Sequence, residues 1–330
     1  MDVLEKIKRA NLTGRGGAGF STAKKWEFVK NAAGDKKYIV CNAAEGEPGV
    51  MKDGYILEKY GDKVIDGIKL AVNFLKAEKA YLYINRAYAK KLAKKLSALI
   101  NGAPIEIFIK PLSAGYIGGE ESALLNAIEG RRIEPRLKPP FPAERGLWNA
   151  PTLVNNAETF YNISLVNAGQ FKNNRFYTIS GDCLNEGVYE LPDSLTIEKI
   201  LKTTGNYPRF SFFVQSGGLA SGEVLNSKQL KRRAGGAAGI AVFSLAKNNF
   251  KSLVKKWLNF YLNESCGQCA ACREGVYRLR EAWLAEKIDR LMVDELLENL
   301  SDASFCALGE SAAVPIKSFI ANVLPYYEKN

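Results

Sequence analysis

Four cysteines near the C-terminus constrain this chain more than any other feature. Cys266, Cys269 and Cys272 stand in the run SCGQCAACREG, and Cys306 follows in SFCALGESAA. A C-x2-C-x2-C triplet with a distant fourth cysteine is what a [4Fe-4S] cluster asks of a polypeptide. Thiolates so closely spaced can converge from a single turn of chain, and the fourth ligand comes from elsewhere in the fold. Zinc is the alternative, but zinc sites usually pair cysteines as two C-x2-C knuckles or mix them with histidine. This chain sets three cysteines in tandem and contains no histidine.

The missing histidine excludes whole classes of chemistry. Ser-His-Asp triads, Cys-His proteases, HExxH metalloproteases and histidine relays are all ruled out. Chemistry carried by a bound redox cofactor is not. The length of 330 residues allows two to three domains. No apolar run approaches the roughly 20 residues of a membrane span. The N-terminus, MDVLEKIKRA, mixes acids and bases and lacks the apolar stretch of a signal peptide. Cysteines in cluster spacing imply a reducing compartment. Cys41 and Cys183 are left over and read as small buried apolar residues. The net charge of +11 has its densest run at Arg86 to Lys95. Tyr88, Leu92, Leu96 and Leu99 recur there at helical spacing, so the lysines read as the solvated face of an amphipathic helix and not as a nucleic-acid site.

Three textures follow one another. Residues 1–168 alternate β-like runs (Tyr38 to Cys41, Ala80 to Ile84, Ile105 to Ile109) with helical patterns (Lys63 to Leu75, Ala87 to Ile100), which predicts an α/β layer domain. A Pro-rich stretch from Pro135 to Pro151 precedes Asn155-Asn156, a helix start for Ala157 to Ala168. Residues 169–247 carry short β-like runs broken by glycines, with a helix over Thr196 to Lys202, and predict a small α+β domain. Residues 248–330 read as helical, with Leu253, Trp257, Phe260 and Tyr261 on one face and Leu291, Leu296, Leu297 and Leu300 marking a later helix.

Gly14-Arg15-Gly16-Gly17-Ala18-Gly19 spells G-x-G-x-x-G, but a Rossmann fingerprint needs a strand immediately before it. The preceding Asp2 to Ala10 reads as helical. The glycines still let backbone N–H groups approach a phosphate or a planar ring. Taken with CNAAEGEPG, GGEESALLNAIEGRR, PRLKPPFPA, NNAET and SCGQCAACREG, in this order, GRGGAGFSTAKKW resembles the flavin-bearing, NADH-binding subunit of respiratory complex I. The homologous diaphorase subunit occurs in NAD-linked hydrogenases and formate dehydrogenases.

The resemblance covers nearly the whole chain. It implies an α/β FMN-binding domain, a ubiquitin-like β-grasp domain and an all-α domain holding one [4Fe-4S] cluster on Cys266, Cys269, Cys272 and Cys306. The FMN contacts it implies are Gly14, Arg15, Gly16, Lys25, Asn42, Glu45, Tyr116, Gly119, Glu120, Asn155 and Asn156. Those implied for NADH are Phe20, Phe28, Glu47, Glu121, Lys138 and Phe141, with Glu47 and Glu121 orienting hydride transfer. Aromatic rings stack adenine at little entropic cost, and Glu47, accepting from ribose hydroxyls, would repel a 2′-phosphate and favour NADH over NADPH.

Two positions depart from the family pattern. Ala44 replaces a common aspartate near the flavin, and Gly118 stands where the complex I form has cysteine. The chain also begins close to the glycine loop, without the longer leader of the complex I subunit or the extra thioredoxin-like and ferredoxin domains of some hydrogenase relatives. The activity implied is that of an NADH:acceptor oxidoreductase, passing electrons from NADH through FMN and the cluster to a partner. The partners implied are a thioredoxin-fold [2Fe-2S] subunit and a larger Fe-S, hydrogenase or dehydrogenase subunit. The site is cytoplasmic or peripheral to a membrane complex, with no direct membrane insertion. Two rival readings stay open here: an electron-bifurcating module of a hydrogenase, which uses the same residues, and a non-catalytic electron-transfer or assembly subunit.

Overall fold

In the computed structural model, which describes residues 1–327, the chain divides into two compact units. Met1–Gly46 and Met51–Arg175 make the first; Glu47–Val50 joins the chain from Phe176 onward in the second.

The first unit opens with α1 (Val3–Arg9) and α2 (Thr22–Asn31), on either side of the glycine run. It continues through β1 (Tyr38–Ala43), α3 (Lys52–Leu75), β2 (Lys79–Ile84), α4 (Arg86–Ile100), β3 (Ile105–Ile109), α5 (Glu121–Ile128), β4 (Thr152–Asn156) and α6 (Ala157–Asn167). The four strands pair in parallel in the order β3-β2-β1-β4. β1, β2 and β4 are buried along almost their whole length, as strands of a parallel sheet sheathed by helices must be. The order contains a reversal. The chain steps from β1 through β2 to β3 at one edge, then returns to lay β4 on the other side of β1. Such a reversal leaves a crevice at the carboxyl ends of the two strands that flank it, and ligands of open α/β sheets bind there.

Local chemistry explains where this unit differs from its sequence reading. α3 starts at Lys52, well before Lys63, because Gly54, Gly61 and a non-helical Tyr60 (φ −131°, ψ 30°) interrupt its apolar period. Gly54 is needed: a Cβ there would lie 2.4 Å from the Tyr88 ring. Gly67 lets α3 and α6 touch backbone to backbone, since a Cβ would fall 2.0 Å from the Phe160 carbonyl oxygen. Asn156 does cap α6, its side chain accepting from the Glu158 N–H, but the residues before it form β4. The sequence reading missed that strand because Asn-Asn at its end reads as a helix start. On α4 the lysines 90, 91, 94 and 95 are exposed, and Leu92, Leu96 and Ile100 are buried.

The second unit contains β5 (Asn174–Gly181), β6 (Gly187–Pro192), α7 (Ile197–Thr203), β7 (Phe212–Ser216), β8 (Glu223–Asn226) and β9 (Gly239–Ser244). Helices α8 (Phe250–Glu264), α9 (Ala270–Leu284), α10 (Arg290–Ala303), α11 (Ala307–Asn322) and α12 (Leu324–Tyr327) follow. The sheet order is β6-β5-β9-β7-β8, with β5 and β9 parallel and β7 antiparallel to both β8 and β9. α7 packs on it through Ile197, Ile200 and Leu201, against Tyr177, Ile179, Val214 and Val242. β8, the strand the sequence did not show, is an edge covered by α11: Val224 N–H donates to Ser318 Oγ at 2.8 Å, and Asn322 Nδ2 donates to the Val224 carbonyl at 2.8 Å. On α10 the packed face is Val293, Leu297 and Leu300, whereas Leu291 is 71% exposed and lies off it.

Cys41 is fully buried in β1, and Cys183 is half-buried against the core of the second sheet. Among the described residues, no helix is long and apolar enough to cross a membrane.

Candidate functional site

The crevice at the β1/β4 reversal is lined by four segments of the first unit. The glycine run approaches β4 so closely that a Cβ on Gly16 would sit 3.3 Å from Asn156 Cβ. Within the run, Gly17 (φ +120°) and Gly19 (φ +65°) hold conformations that side chains oppose, and a Cβ on Gly19 would meet open space. Arg15 is buried, its N–H donating to Thr159 Oγ1 at 2.9 Å and its Nη2 to Asn173 Oδ1 at 2.8 Å. At the end of β1, Asn42 Nδ2 donates to the Gly119 carbonyl at 2.8 Å, tying β1 to the 116–120 turn. Asn155, buried near the end of β4, has its amide between the Val154 carbonyl and Trp26 Nε1, and with its nitrogen toward the former and its oxygen toward the latter it donates at 3.1 Å and accepts at 3.2 Å. Tyr116 presses on Gly46, where a Cβ would come 3.2 Å from its ring.

The two departures from the family pattern also lie here. Ala44 is 2% exposed, and a Cβ on Gly119 would lie 3.5 Å from the Ala44 Cβ. Gly118 backs on Ala114: a Cβ there would fall 2.5 Å from the Ala114 methyl group. Glycine at 118 therefore goes with this tight 114–119 turn.

Beneath the crevice lies a charge network that the sequence reading missed. Lys52, 2% exposed, pairs with Asp53 at 2.7 Å and with the fully buried Glu158 at 3.1 Å, and donates to Asn156 Oδ1 at 3.0 Å. Asn156 Nδ2 in turn donates to Asp53 Oδ2 at 2.9 Å. The Glu45 carboxylate accepts from the Asp53 and Gly54 N–H groups at the start of α3 (2.7 and 3.0 Å) and from the Tyr88 hydroxyl. Burial and the Asp53 charge push Glu45 up to about 7, against the pull of Lys52, Tyr88 and the Asp53 N–H. Lys52, although desolvated, is held firmly protonated by Asp53, Glu158 and Glu45. The available signal was position: Lys52 and Asp53 follow CNAAEGEPG, and Glu158 and Thr159 belong to NNAET.

A second set of charges lies at the start of α5. Glu120 caps the helix, one carboxylate oxygen accepting from the Ser122 and Ala123 N–H groups at 2.8 Å and the other from Lys138 at 2.8 Å. Glu121 bridges Lys138 (3.0 Å) and Lys25 (3.2 Å). Burial pushes its carboxyl up, but the two lysines outweigh that and hold it below the usual range. Phe20 and Phe28 are 47% and 56% exposed with ring centroids 6.3 Å apart, and Phe141 is 52% exposed. A glycine turn, amides, a lysine and exposed rings within one unit suit a planar cofactor that carries a phosphate.

Glu47 belongs to the second unit. One carboxylate oxygen accepts from the Ala220 and Ser221 N–H groups at 2.9 and 3.1 Å, the other from Ser221 Oγ at 3.0 Å. Gly218 (φ +139°) makes room for it, since a Cβ there would overlap the carboxylate at 2.1 Å. The Ala220 carbonyl accepts from the buried Tyr261 hydroxyl at 3.1 Å.

None of the four cysteines is joined in a disulfide. Cys269 is the N-cap of α9 and Cys306 the N-cap of α11, and neither helix start has a side-chain cap. Cys266 lies in the α8–α9 turn and Cys272 in the first turn of α9. Gly309 brings α11 against α9, for a Cβ there would come 3.1 Å from Cys272 Cβ. Burial lifts the Cys272 thiol to about 11, with further push from the Cys269, Cys306 and Cys266 thiols, which places all four in one electrostatic neighbourhood. Among the described residues no three or more Cys, Asp or Glu side chains close on a point fit for a single metal ion. A cluster distributes its thiolates over several irons and makes no such demand. Two helix N-termini without side-chain caps carry partial positive charge that favours the anionic, thiolate-bound group.

Comparison with known proteins gives the same two cofactors. Residues 7–165 match the Nuo51 FMN-binding domain, and residues 252–330 match the NADH-ubiquinone oxidoreductase-F iron-sulfur binding region. The chain is 34% identical to the second F-type subunit of the NADH-quinone oxidoreductase of Rhizobium meliloti (strain 1021), over 96% of its own length and 86% of the relative's. It is 33% identical to the F-type subunit of the NADH-quinone oxidoreductase of Streptomyces coelicolor, over 100% and 83%. Among solved structures it is similar to a chain of the NAD+-reducing [NiFe]-hydrogenase in the H2-reduced state, with a TM-score of 0.90 at 29% identity. That match covers 99% of this chain and 62% of the hydrogenase chain. FMN and a [4Fe-4S] cluster are the cofactors of the matched regions, and NADH is the substrate that fits them. With its FMN-binding domain, its cluster-binding region and full-length likeness to these relatives, the chain belongs to the family of F-type subunits of NADH-quinone oxidoreductase, which oxidise NADH with a flavin and an iron-sulfur cluster.

Proposed function

We propose that this chain is the NADH-oxidising entry module of a larger complex, with FMN in the β1/β4 crevice and the cluster on Cys266, Cys269, Cys272 and Cys306. The observation that carries this reading is that one chain holds both a polar crevice at a strand-order reversal and four thiols gathered at the starts of α9 and α11. When bound, FMN supplies two-electron acceptance from NADH, and the cluster supplies a one-electron exit.

The chain's own residues do the rest. Gly14, Arg15 and Gly16 bring backbone to the cofactor, and Lys25 offers its phosphate a cation. Asn42, Asn155 and Asn156 offer amides, while Glu45, Tyr116, Gly119 and Glu120 complete the seat. Phe20, Phe28 and Phe141 give adenine a stacking surface, and Lys138 lies near the sugar-phosphate. Glu121 is held ionised by Lys25 and Lys138, so it acts as a fixed polar contact that orients NADH for hydride transfer. Glu47, whose carboxylate accepts from two backbone N–H groups, is the acid proposed to accept from ribose hydroxyls and to disfavour a 2′-phosphate.

The domain plan proposed is a flavin domain at 1–168, a β-grasp domain at 169–247 and a cluster domain at 248–330. Support for the β-grasp comes from the sheet order β6-β5-β9-β7-β8, with its first and last strands parallel in the middle and a helix after the first hairpin. A single cluster as exit requires a partner with further redox centres. The proposed partners are a thioredoxin-fold [2Fe-2S] subunit and a larger Fe-S, hydrogenase or dehydrogenase subunit, in the cytoplasm or at a membrane complex. The same residues serve a bifurcating partner equally.

The test is NADH-dependent reduction of a soluble one-electron dye by the chain loaded with FMN and cluster. Rapid reduction, lost in Lys25→Ala together with FMN retention, is expected. Loaded protein that leaves the dye oxidised contradicts the reading.

A further inference from the structure

We propose that Ser265 sets the reduction potential of the cluster, its hydroxyl donating a hydrogen bond to the Cys272 thiolate. The inference rests on the reading of the four cysteines as ligands.

Ser265 closes α8 as its C-cap, its N–H donating to the Tyr261 carbonyl at 3.0 Å. Its Oγ accepts from the Gly267 N–H at 3.2 Å. Gly267 (φ +78°) is pinned in turn, because Arg273 Nη1 donates to its carbonyl at 2.7 Å and Arg273 is paired with Glu274 at 2.9 Å. The turn between α8 and α9 therefore fixes where the hydroxyl oxygen sits, and Cys272 Sγ lies 3.4 Å from it. Cys272 is confined as well. It is 5% exposed, and α11 closes over it at Gly309, leaving no room for a side chain between them.

The Cys272 thiol donates to Ser265 Oγ. A ligating cysteine has given up its proton. Across the same gap the direction must then reverse: the Gly267 N–H still occupies one lone pair of the hydroxyl, and the hydroxyl proton is offered to the sulfur. A donor to a cluster sulfur raises the potential, since a charge-assisted bond favours the more negative, reduced state. With little water near Cys272 to replace it, the bond contributes fully.

The experiment is an EPR-monitored redox titration of the cluster-loaded chain and of Ser265→Ala and Ser265→Thr. In Ser265→Ala the ratio of reduced to oxidised cluster at a fixed potential should fall about tenfold, a downward shift of about 59 mV for one electron. Ser265→Thr, which keeps the hydroxyl, should stay near the parent value. An unchanged potential in Ser265→Ala overturns the proposal while leaving the ligand assignment intact. A parent chain that shows no [4Fe-4S] signal after reconstitution overturns the ligand assignment and the proposal with it. Should Ser265→Ala hold no cluster, deuterium ENDOR of the parent after brief transfer to D2O decides. A strongly coupled, fast-exchanging deuteron supports the hydroxyl donor, and its absence refutes it.

Discussion

In the proposed reading, the crevice of the first unit and the four thiols of the second would hold their anionic cofactors with different materials. The crevice uses backbone, amides and one lysine, drawn from segments as far apart as Gly14 and Asn156 and brought together by the β1/β4 reversal. The cage uses four identical side chains, three of them within seven residues of chain, set at the starts of α9 and α11. Its strength lies in covalent ligation, so the surrounding fold needs only to place the sulfurs. The crevice has no such bond. Its precision depends on what supports it, and that support is the buried network of Lys52, Asp53, Glu158, Asn156 and Glu45. Damage to the cage should therefore be local and complete, and damage beneath the crevice should be graded and felt as stability.

The largest effect expected is Cys306→Ala, which should abolish the cluster's visible and EPR signals while FMN content stays at the parent level. Loss of both cofactors together would mean that the two sites are not separable in this way.

Next is Lys52→Met. Removing the cation leaves Asp53 and Glu158 buried without their partner, a loss of about 3–5 kcal/mol. Urea unfolding of the first unit, followed through its flavin, should show the midpoint fall, with the cluster signal of folded protein unaffected. A change under about 1 kcal/mol would show that the network is not a support.

The third prediction sets two carboxylates of the crevice against each other. Glu45 has a raised value, from 4.5 to about 7, so the folded state holds its proton more tightly than the unfolded chain. Its contribution is present at low pH and is lost as pH rises from about 4.5 to about 7. Glu121 is lowered by Lys25 and Lys138. Its contribution is present above the ordinary carboxylate value and is lost as pH falls through the depressed one. Glu45→Gln should flatten the stability profile between about pH 5 and 7, and Glu121→Gln should leave that window alone and weaken the acid limb below it. Identical slopes in parent and Glu45→Gln would remove Glu45 from the account. Asn156→Ala removes the α6 cap, at about 1 kcal/mol, and takes one hydrogen-bond partner each from the buried Lys52 and Asp53, at about 1–3 kcal/mol more; a urea midpoint that falls by the cap's share alone would take Asn156 out of the network.

The two sites also differ in how much of each the sequence discloses. Cysteine spacing alone marks the cage, because the ligand type and its interval are the chemistry. It does not mark Ser265, whose role depends on a fixed turn, Gly267 at φ +78° and an Arg273 contact. The crevice is legible only through ordered motifs. Gly14 to Gly19, Asn42 and Asn156 share no periodicity, and their meeting is a property of strand order. β4 and β8 escaped pattern reading for related reasons: one ends in residues that start helices, and the other is a four-residue edge completed by α11. Lys52 and Glu158 read as ordinary helix charges until α3 and α6 bring them together. Gly67 at the Phe160 carbonyl is what allows that approach. Glu47 shows the converse. Its motif points to nucleotide, while its carboxylate is engaged by Ala220 and Ser221 of a loop far along the chain.

In the proposed function, NADH gives its electrons to a flavin and a [4Fe-4S] cluster held by this one chain. An anaerobic visible spectrum of the FMN- and cluster-loaded protein, before and after NADH, tests it most directly when read beside Cys306→Ala. NADH should bleach the flavin bands and the broad iron-sulfur shoulder of the parent, and the flavin bands alone of the variant. A reconstituted protein that stays colourless, or whose flavin bands do not change with NADH, contradicts it.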